Sequence, residues 1–144
     1  MNGPPAPLVE ELSRLGYALM RLLLARAKEA FAREGLSLQQ AEVLRLVREG
    51  VRLPSRLAEH LEVLPSQVSH LLASLEEGEL LQRQPDSLDR RRVHLQLTPK
   101  GEEVERRLRE AWLLVFGQQL GRLEPSELLL FRDLLKKLTE GERG

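Results

Sequence analysis

Between Leu53 and Leu97 the hydrophobic pattern changes its period, and that change restricts what the chain can become. In Pro65 to Glu77 (PSQVSHLLASLEE), Val68, Leu71, Leu72 and Leu75 fall at i, i+3, i+4 and i+7, which places them on one face of a helix. The opposite face carries Ser66, Gln67, Ser69, His70, Ala73 and Ser74, all hydrogen-bonding side chains except the small Ala73, with no bulky apolar group and no acid. Such a surface suits a groove in which base edges and phosphates must be met. Upstream, Pro54 to Leu61 (PSRLAEHL) reads as a shorter helix with Leu57, Ala58 and Leu61 facing inward. After Gly78 the period falls to two, in Leu80 to Gln84 and in Val93 to Leu97, where Val93, Leu95 and Leu97 oppose His94 and Gln96. The intervening PDSLDRRR is rich in turn formers and arginine.

A short helix, a turn, a second helix and a two-stranded hairpin, in that order, make a winged helix-turn-helix. Both helices open on the same dipeptide, Leu53-Pro54 and Leu64-Pro65. Proline suits a first helical turn, where its missing N–H would be unpaired anyway. Leucine is a poor N-cap, so capping falls to neighbours, and Ser55 and Ser66 are the nearest hydroxyls. The free N–H groups and dipole at the start of the second helix are expected to hold a DNA phosphate.

The flanking segments are helical by pattern. After an extended lead-in (MNGPPAP), Leu8, Leu12, Leu15, Leu19 and Leu22 alternate spacings of four and three along a helix that runs to about Arg33, with Gly35 as its stop. A seam this regular is either core packing or a helix–helix interface. Ser37 to Glu49 predicts a second helix with Ser37 as N-cap and Gln40 completing a capping box, Ala41, Leu44 and Val47 inward, and Gly50 as C-cap. The connector Val51–Leu53 is expected to add a short edge strand to the hairpin. Thr98-Pro99 opens a helix that passes Trp112, Val115 and Phe116 to about Leu120. A last helix from Pro125 or Ser126 to near Gly141 sets Leu128, Phe131, Leu135 and Leu138 at three-four spacing.

At 144 residues the chain is read as one domain, 1–144, of a mainly α class. Its core is aliphatic, since 42% of residues are hydrophobic and only 3% aromatic. Cysteine is absent, which excludes disulfides, thiolate metal sites and thiol chemistry; the three scattered histidines lack metal-site spacing, so neither metal nor cofactor is expected. No apolar run approaches a membrane span and the N-terminus lacks a signal-peptide pattern, so the expected location is cytoplasmic, away from membranes. No GxSxG, P-loop, GxGxxG or HExxH occurs, which argues against an enzyme. The formal net charge is zero, from 22 basic and 22 acidic residues. A nucleic-acid binder of this composition must place its basic groups, and the one local excess is Arg83, Arg90, Arg91 and Arg92 against Asp86 and Asp89.

Residues 36–101 resemble the MarR family (multiple antibiotic resistance regulators) of bacterial transcription regulators. LSLQQAEVLRLV is similar to the family's helix before the helix-turn-helix, RLAEHLEV to its first helix, SQVSHLLASLEE to its recognition helix and DSLDRRRVHLQLTPKG to its wing and the helix start beyond. Two positions depart from the pattern: Leu64 stands where the family has a polar cap, and Glu79 where it has a glycine, with Gly78 one residue early. The resemblance implies a winged helix-turn-helix lobe over 36–100 with a two-stranded β wing. It also implies that the N- and C-terminal helices, 8–34 and 101–141, form a dimerisation lobe from two intertwined copies.

On that reading Pro65, Ser66, Gln67, Ser69 and His70 enter the major groove, Gln67 being able to pair bidentately with adenine. Arg91, two residues after Asp89, takes the family's minor-groove position with Asp89 orienting it, while Arg90 and Arg92 meet phosphates or solvent. Leu8, Leu12, Leu15 and Leu19 with Leu128, Phe131, Leu135 and Leu138 would hold the homodimer, since one small core leaves such seams uncovered. The expected partners are double-stranded DNA, a second copy and a small aromatic effector in the family's pocket near Trp112 and Phe116. The expected function is a repressor on a pseudo-palindromic operator. A winged helix used only for protein contacts is the rival, favoured by the neutral charge.

Overall fold

The computed structural model describes residues 3–85, 88–89 and 92–141. Among them six helices and one hairpin follow in the order α1 (Ala6–Ala32), α2 (Leu38–Arg48), α3 (Pro54–Leu61), α4 (Pro65–Glu77), β1 (Leu81–Pro85), β2 (Val93–Leu97), α5 (Pro99–Leu120) and α6 (Pro125–Thr139). The architecture is mainly helical with a two-stranded wing.

Local chemistry accounts for most boundaries. Gly35 beyond α1 is left-handed (φ 74°). At α2 the capping box is complete: Ser37 Oγ accepts from the Gln40 N–H at 3.1 Å, and Gln40 Oε1 accepts from the Ser37 N–H at 2.8 Å. α3 ends on Glu62 in the left-handed region (φ 55°), with the Val63 N–H returning to the Ala58 carbonyl. Thr98 caps α5 by accepting from the Gly101 N–H at 2.9 Å, ahead of Pro99.

Leu44, Leu57, Leu72, Leu75 and Leu95 form the centre of the core, fully buried beside Val43, Val47 and Val68. α2 lies at the middle of this packing, touching α1, α4, α5 and β2, which is why it buries Val43 and Leu46 as well as its expected stripe of Ala41, Leu44 and Val47. α3 packs on α4, and the C-terminal half of α1 packs on α5. The hairpin is antiparallel with Leu81 opposite Leu97 and Pro85 opposite Val93. The connector after α2 does not form the expected edge strand. It is joined to the wing through one bond, from the Leu95 N–H to the Arg52 carbonyl at 2.8 Å, because Pro54 starts α3 two residues later and turns the chain away.

The apolar seams are largely uncovered. Leu8, Leu12, Leu15 and Leu19 are exposed along α1, whose buried residues begin at Leu23. On α6, which buries no residue, Leu128 and Phe131 are half-buried beside Phe116 and Leu120 of α5, while Leu135 and Leu138 are exposed. The exposed apolar surface also includes Tyr17, Met20, Leu113, Leu114, Leu129, Leu130 and Leu134, which the three-four pattern did not single out. No helix among the described residues is long and apolar enough to cross a membrane.

Candidate nucleic-acid interface

α4 is anchored by its apolar face and leaves the other face open. Val68, Leu72 and Leu75 are buried and Leu71 half-buried, while Pro65, Ser66, Gln67, Ser69 and His70 are all exposed and share one side. The first turn of α4 holds no acid. The helix N-terminus therefore presents N–H groups and small polar side chains outward, without a carboxylate to repel a phosphate.

The capping at this end differs from the sequence expectation. Ser66 does not cap; the Gln67 Oε1 accepts from the Leu64 N–H at 3.0 Å, and no side chain caps from Leu64 itself. Half a capping box is thus built, because leucine has no oxygen to complete it. The amide oxygen of Gln67 accepts one hydrogen bond from its own helix start, with its second lone pair left for another donor.

Ser74, at the far end of the exposed face, ties α4 to α2. Its hydroxyl donates to the Leu71 carbonyl at 2.7 Å and accepts from Gln40 Nε2 at 2.9 Å. Gln40 thus closes the α2 capping box with its oxygen and holds α4 with its nitrogen. The capping box was readable from Ser37 and Gln40 alone, but the link to Ser74 joins positions far apart in the chain.

The wing root is fixed by a second set of bonds. Thr98 Oγ1 donates to the Glu79 carbonyl at 2.6 Å, the Thr98 N–H donates to the Leu80 carbonyl at 3.1 Å, and Lys100 Nζ donates to the Gly78 carbonyl at 3.1 Å. Glu79 itself takes the left-handed conformation (φ 61°) while Gly78 does not. The corner accommodates the displaced glycine by placing a non-glycine residue in that region.

Arg83, counted above in the basic cluster, is paired with Glu76 of α4 at 2.7 Å. It braces β1 of the wing against α4, so of the four arginines in the basic cluster this one is already engaged. Arg90 and Arg91 lie outside the described residues. Arg92 is exposed, and its N–H closes a tight turn on the carbonyl of the half-buried Asp89 at 3.0 Å. His60 and His94 are exposed.

Behind this surface α2 and α5 are joined by an ionic contact that sequence reasoning missed. Glu105 is buried to 3% exposure, with Arg48 Nε at 2.8 Å from one carboxylate oxygen and Arg109 Nε at 3.3 Å from the other. Its i,i+4 spacing to Arg109 was visible; its burial was not. Beside it lies a cavity of about 370 Å³ between α1, α2 and α5, walled by Leu24, Phe31, Leu38, Leu108 and Trp112, with Glu42, Arg45, Glu105 and Arg109 also lining it. A hydrogen bond from Arg45 to Glu42 is the main cause holding that guanidinium above its ordinary pKa. Trp112 meets Phe116 edge-on at 5.6 Å, but Phe116 belongs to a separate groove facing α6.

Residues 36–101 match the family described as the winged helix DNA-binding domain. The chain has the fold of MarR-family transcription regulators. A MarR family protein from Bacillus stearothermophilus superposes with a TM-score of 0.89 at 21% identity, over 99% of this chain and 100% of that one. The transcriptional regulator Tm0710 from Thermotoga maritima gives 0.70 at 25% identity, over 90% and 92%. A mutant MarR from E. coli complexed with operator DNA gives 0.72 at 20% identity, over 94% and 99%. No curated protein matches the chain. In this fold α4 is the second helix of the helix-turn-helix and β1–β2 the wing, and two solved structures that share it are described as transcription regulators.

Proposed function

We propose that the protein is a homodimeric, sequence-specific DNA-binding transcriptional regulator, acting from 1–144 as a single cytoplasmic unit and repressing from a pseudo-palindromic operator. The observation that carries this reading is the outward face of α4: Pro65, Ser66, Gln67, Ser69 and His70 exposed together, free of acid in the first turn, on a helix held rigidly from behind. A protein-interaction module has no need of an acid-free helix N-terminus in a chain whose wing sequence is rich in arginine. The MarR–operator complex of a chain with the same fold supports the DNA partner.

Two copies related by a two-fold axis set their recognition helices in successive major grooves about 34–36 Å apart. The exposed Leu8, Leu12, Leu15, Leu19, Leu135 and Leu138, with the half-buried Leu128 and Phe131, are the surfaces for that pairing. Asp89, Arg90, Arg91 and Arg92 serve the wing, with Arg91 in the minor groove. With zero net charge and Arg83 already paired, phosphate contacts depend on a few placed cations rather than on a general basic surface. Each phosphate neutralised adds about 0.9 to the salt slope of log affinity, so the slope should be shallow and non-specific binding weak. The apolar cavity beside Trp112, with Arg45 and Arg109 in its lining, is suited to a small aromatic effector.

The deciding experiment selects binding sites from random duplex DNA at low salt. An inverted repeat with half-sites one helical turn apart is expected; enrichment of no such motif would defeat the regulator reading.

A further inference from the structure

Given that DNA reading, we infer that Leu64 is a specificity-determining contact that reads the 5-methyl group of a thymine in the major groove. Leu53 and Leu64 occupy equivalent places, each the N-cap before a proline that opens a helix. Their surroundings differ. Leu53 is half-buried, whereas Leu64 is 66% exposed; the adjacent Val63 packs against the core and Leu64 does not. Packing therefore accounts for the leucine of α3, whereas among the described residues the core does not cover that of α4.

The position is one where a hydroxyl or amide side chain is strongly favoured, because it would accept a bond from the N-terminal N–H groups. Here the capping has moved to Gln67, whose Oε1 takes the Leu64 N–H. The relocation keeps part of the cap and leaves the N-cap side chain apolar and exposed, next in sequence to the exposed Pro65 and Ser66. A recognition helix meets base edges with its N-terminal residues. Leu64 has neither donor nor acceptor, so it cannot discriminate the polar pattern of a base edge. The apolar group that the major groove displays is the thymine methyl, which identifies the partner by chemistry.

The test uses the full-length protein and the duplex recovered by the random-site selection above, with each thymine of a half-site replaced singly by deoxyuridine. Wild type is expected to lose about fourfold in affinity at one thymine, the loss of one buried methyl. Leu64→Ser, which restores a hydroxyl cap and should melt no lower than wild type by circular dichroism, is expected to bind the thymine and uracil duplexes equally at that position. Leu64→Met, still apolar, should keep the methyl dependence. Equal sensitivity of wild type and Leu64→Ser at every thymine, or insensitivity of wild type throughout, would overturn the inference while the DNA reading stands. Failure to recover any selected duplex would remove both.

Discussion

The backbone of Gly101 lies against the carbonyl of Leu80 so closely that a Cβ at Gly101 would stand 2.0 Å from that oxygen. The glycine is required by this approach and not by its φ, since it sits in the regular first turn of α5. Here the wing meets the helix that follows it, and Leu80 also accepts the Thr98 N–H. Gly101→Ala must separate the two segments, and overpacking of this kind destabilises by about 1–3 kcal/mol. The upper end is expected, because the obstacle is backbone that cannot rotate away. Urea denaturation measures it; an unchanged midpoint would show that the corner yields freely.

Glu79 sustains a left-handed backbone one residue after Gly78. For a non-glycine residue that conformation costs about 1–2 kcal/mol, offset in part by the greater chain entropy that glycine loses on folding. Glu79→Gly should accordingly raise stability by about 0.5–1 kcal/mol. The Thr98 bond is to the Glu79 carbonyl and survives the change. A higher denaturation midpoint at constant slope is the expected result, and a lower one would mean that the Glu79 side chain contributes an interaction outweighing the strain.

Gln67 separates a structural role from a DNA role. Gln67→Glu retains an oxygen for the Leu64 N–H and adds negative charge at a helix N-terminus, where it is favourable by about 0.3–1 kcal/mol. Thermal stability should hold or rise. On the proposed DNA-bound arrangement the same charge would face phosphates, so affinity for the selected duplex should fall at least tenfold at low salt. Parallel melting and gel-shift measurements distinguish the two effects, and intact affinity would remove Gln67 from the interface.

Glu105 holds Arg48 of α2 and Arg109 of α5 from a buried position. Breaking a fully buried pair costs about 3–5 kcal/mol, but both guanidinium groups are close to half exposed and solvent screens them. Glu105→Ala is therefore expected to destabilise by about 1–3 kcal/mol. In a double-mutant cycle with Arg48→Ala the two changes should fail to add by at least about 0.5 kcal/mol. Simple additivity would show that the contact contributes nothing beyond packing.

The seams predict self-association. Leu12→Asp on α1 and Leu138→Asp on α6 place a charge on apolar surface that the chain's own packing does not cover. Each should convert a dimer into monomer at micromolar concentration by light scattering, without altering the core of the winged lobe. Persistence of the dimer in the double variant would place the interface elsewhere.

Local periodicity was sufficient for the elements of this fold. The i, i+3, i+4 spacing of Val68 to Leu75, the alternation of Val93 to Leu97 and the Ser37–Gln40 box act within a few residues, so the sequence carries them directly. The exposed face of α4 was equally legible, because fixing Val68, Leu72 and Leu75 inward fixes Ser66 and Ser69 outward. Tertiary structure alone decided which polar groups meet across long stretches of chain. Arg83 spends its charge on Glu76, Gln40 reaches Ser74, Glu105 is buried between two arginines, and Gly101 faces the Leu80 carbonyl. Capping of α4 by Gln67 instead of Ser66 is local in sequence but depends on side-chain direction, which spacing does not specify. The Gln40–Ser74, Arg48–Glu105 and Leu80–Gly101 contacts join residues far apart in order at distances of a few ångströms, and no pattern of residue types encodes such distances.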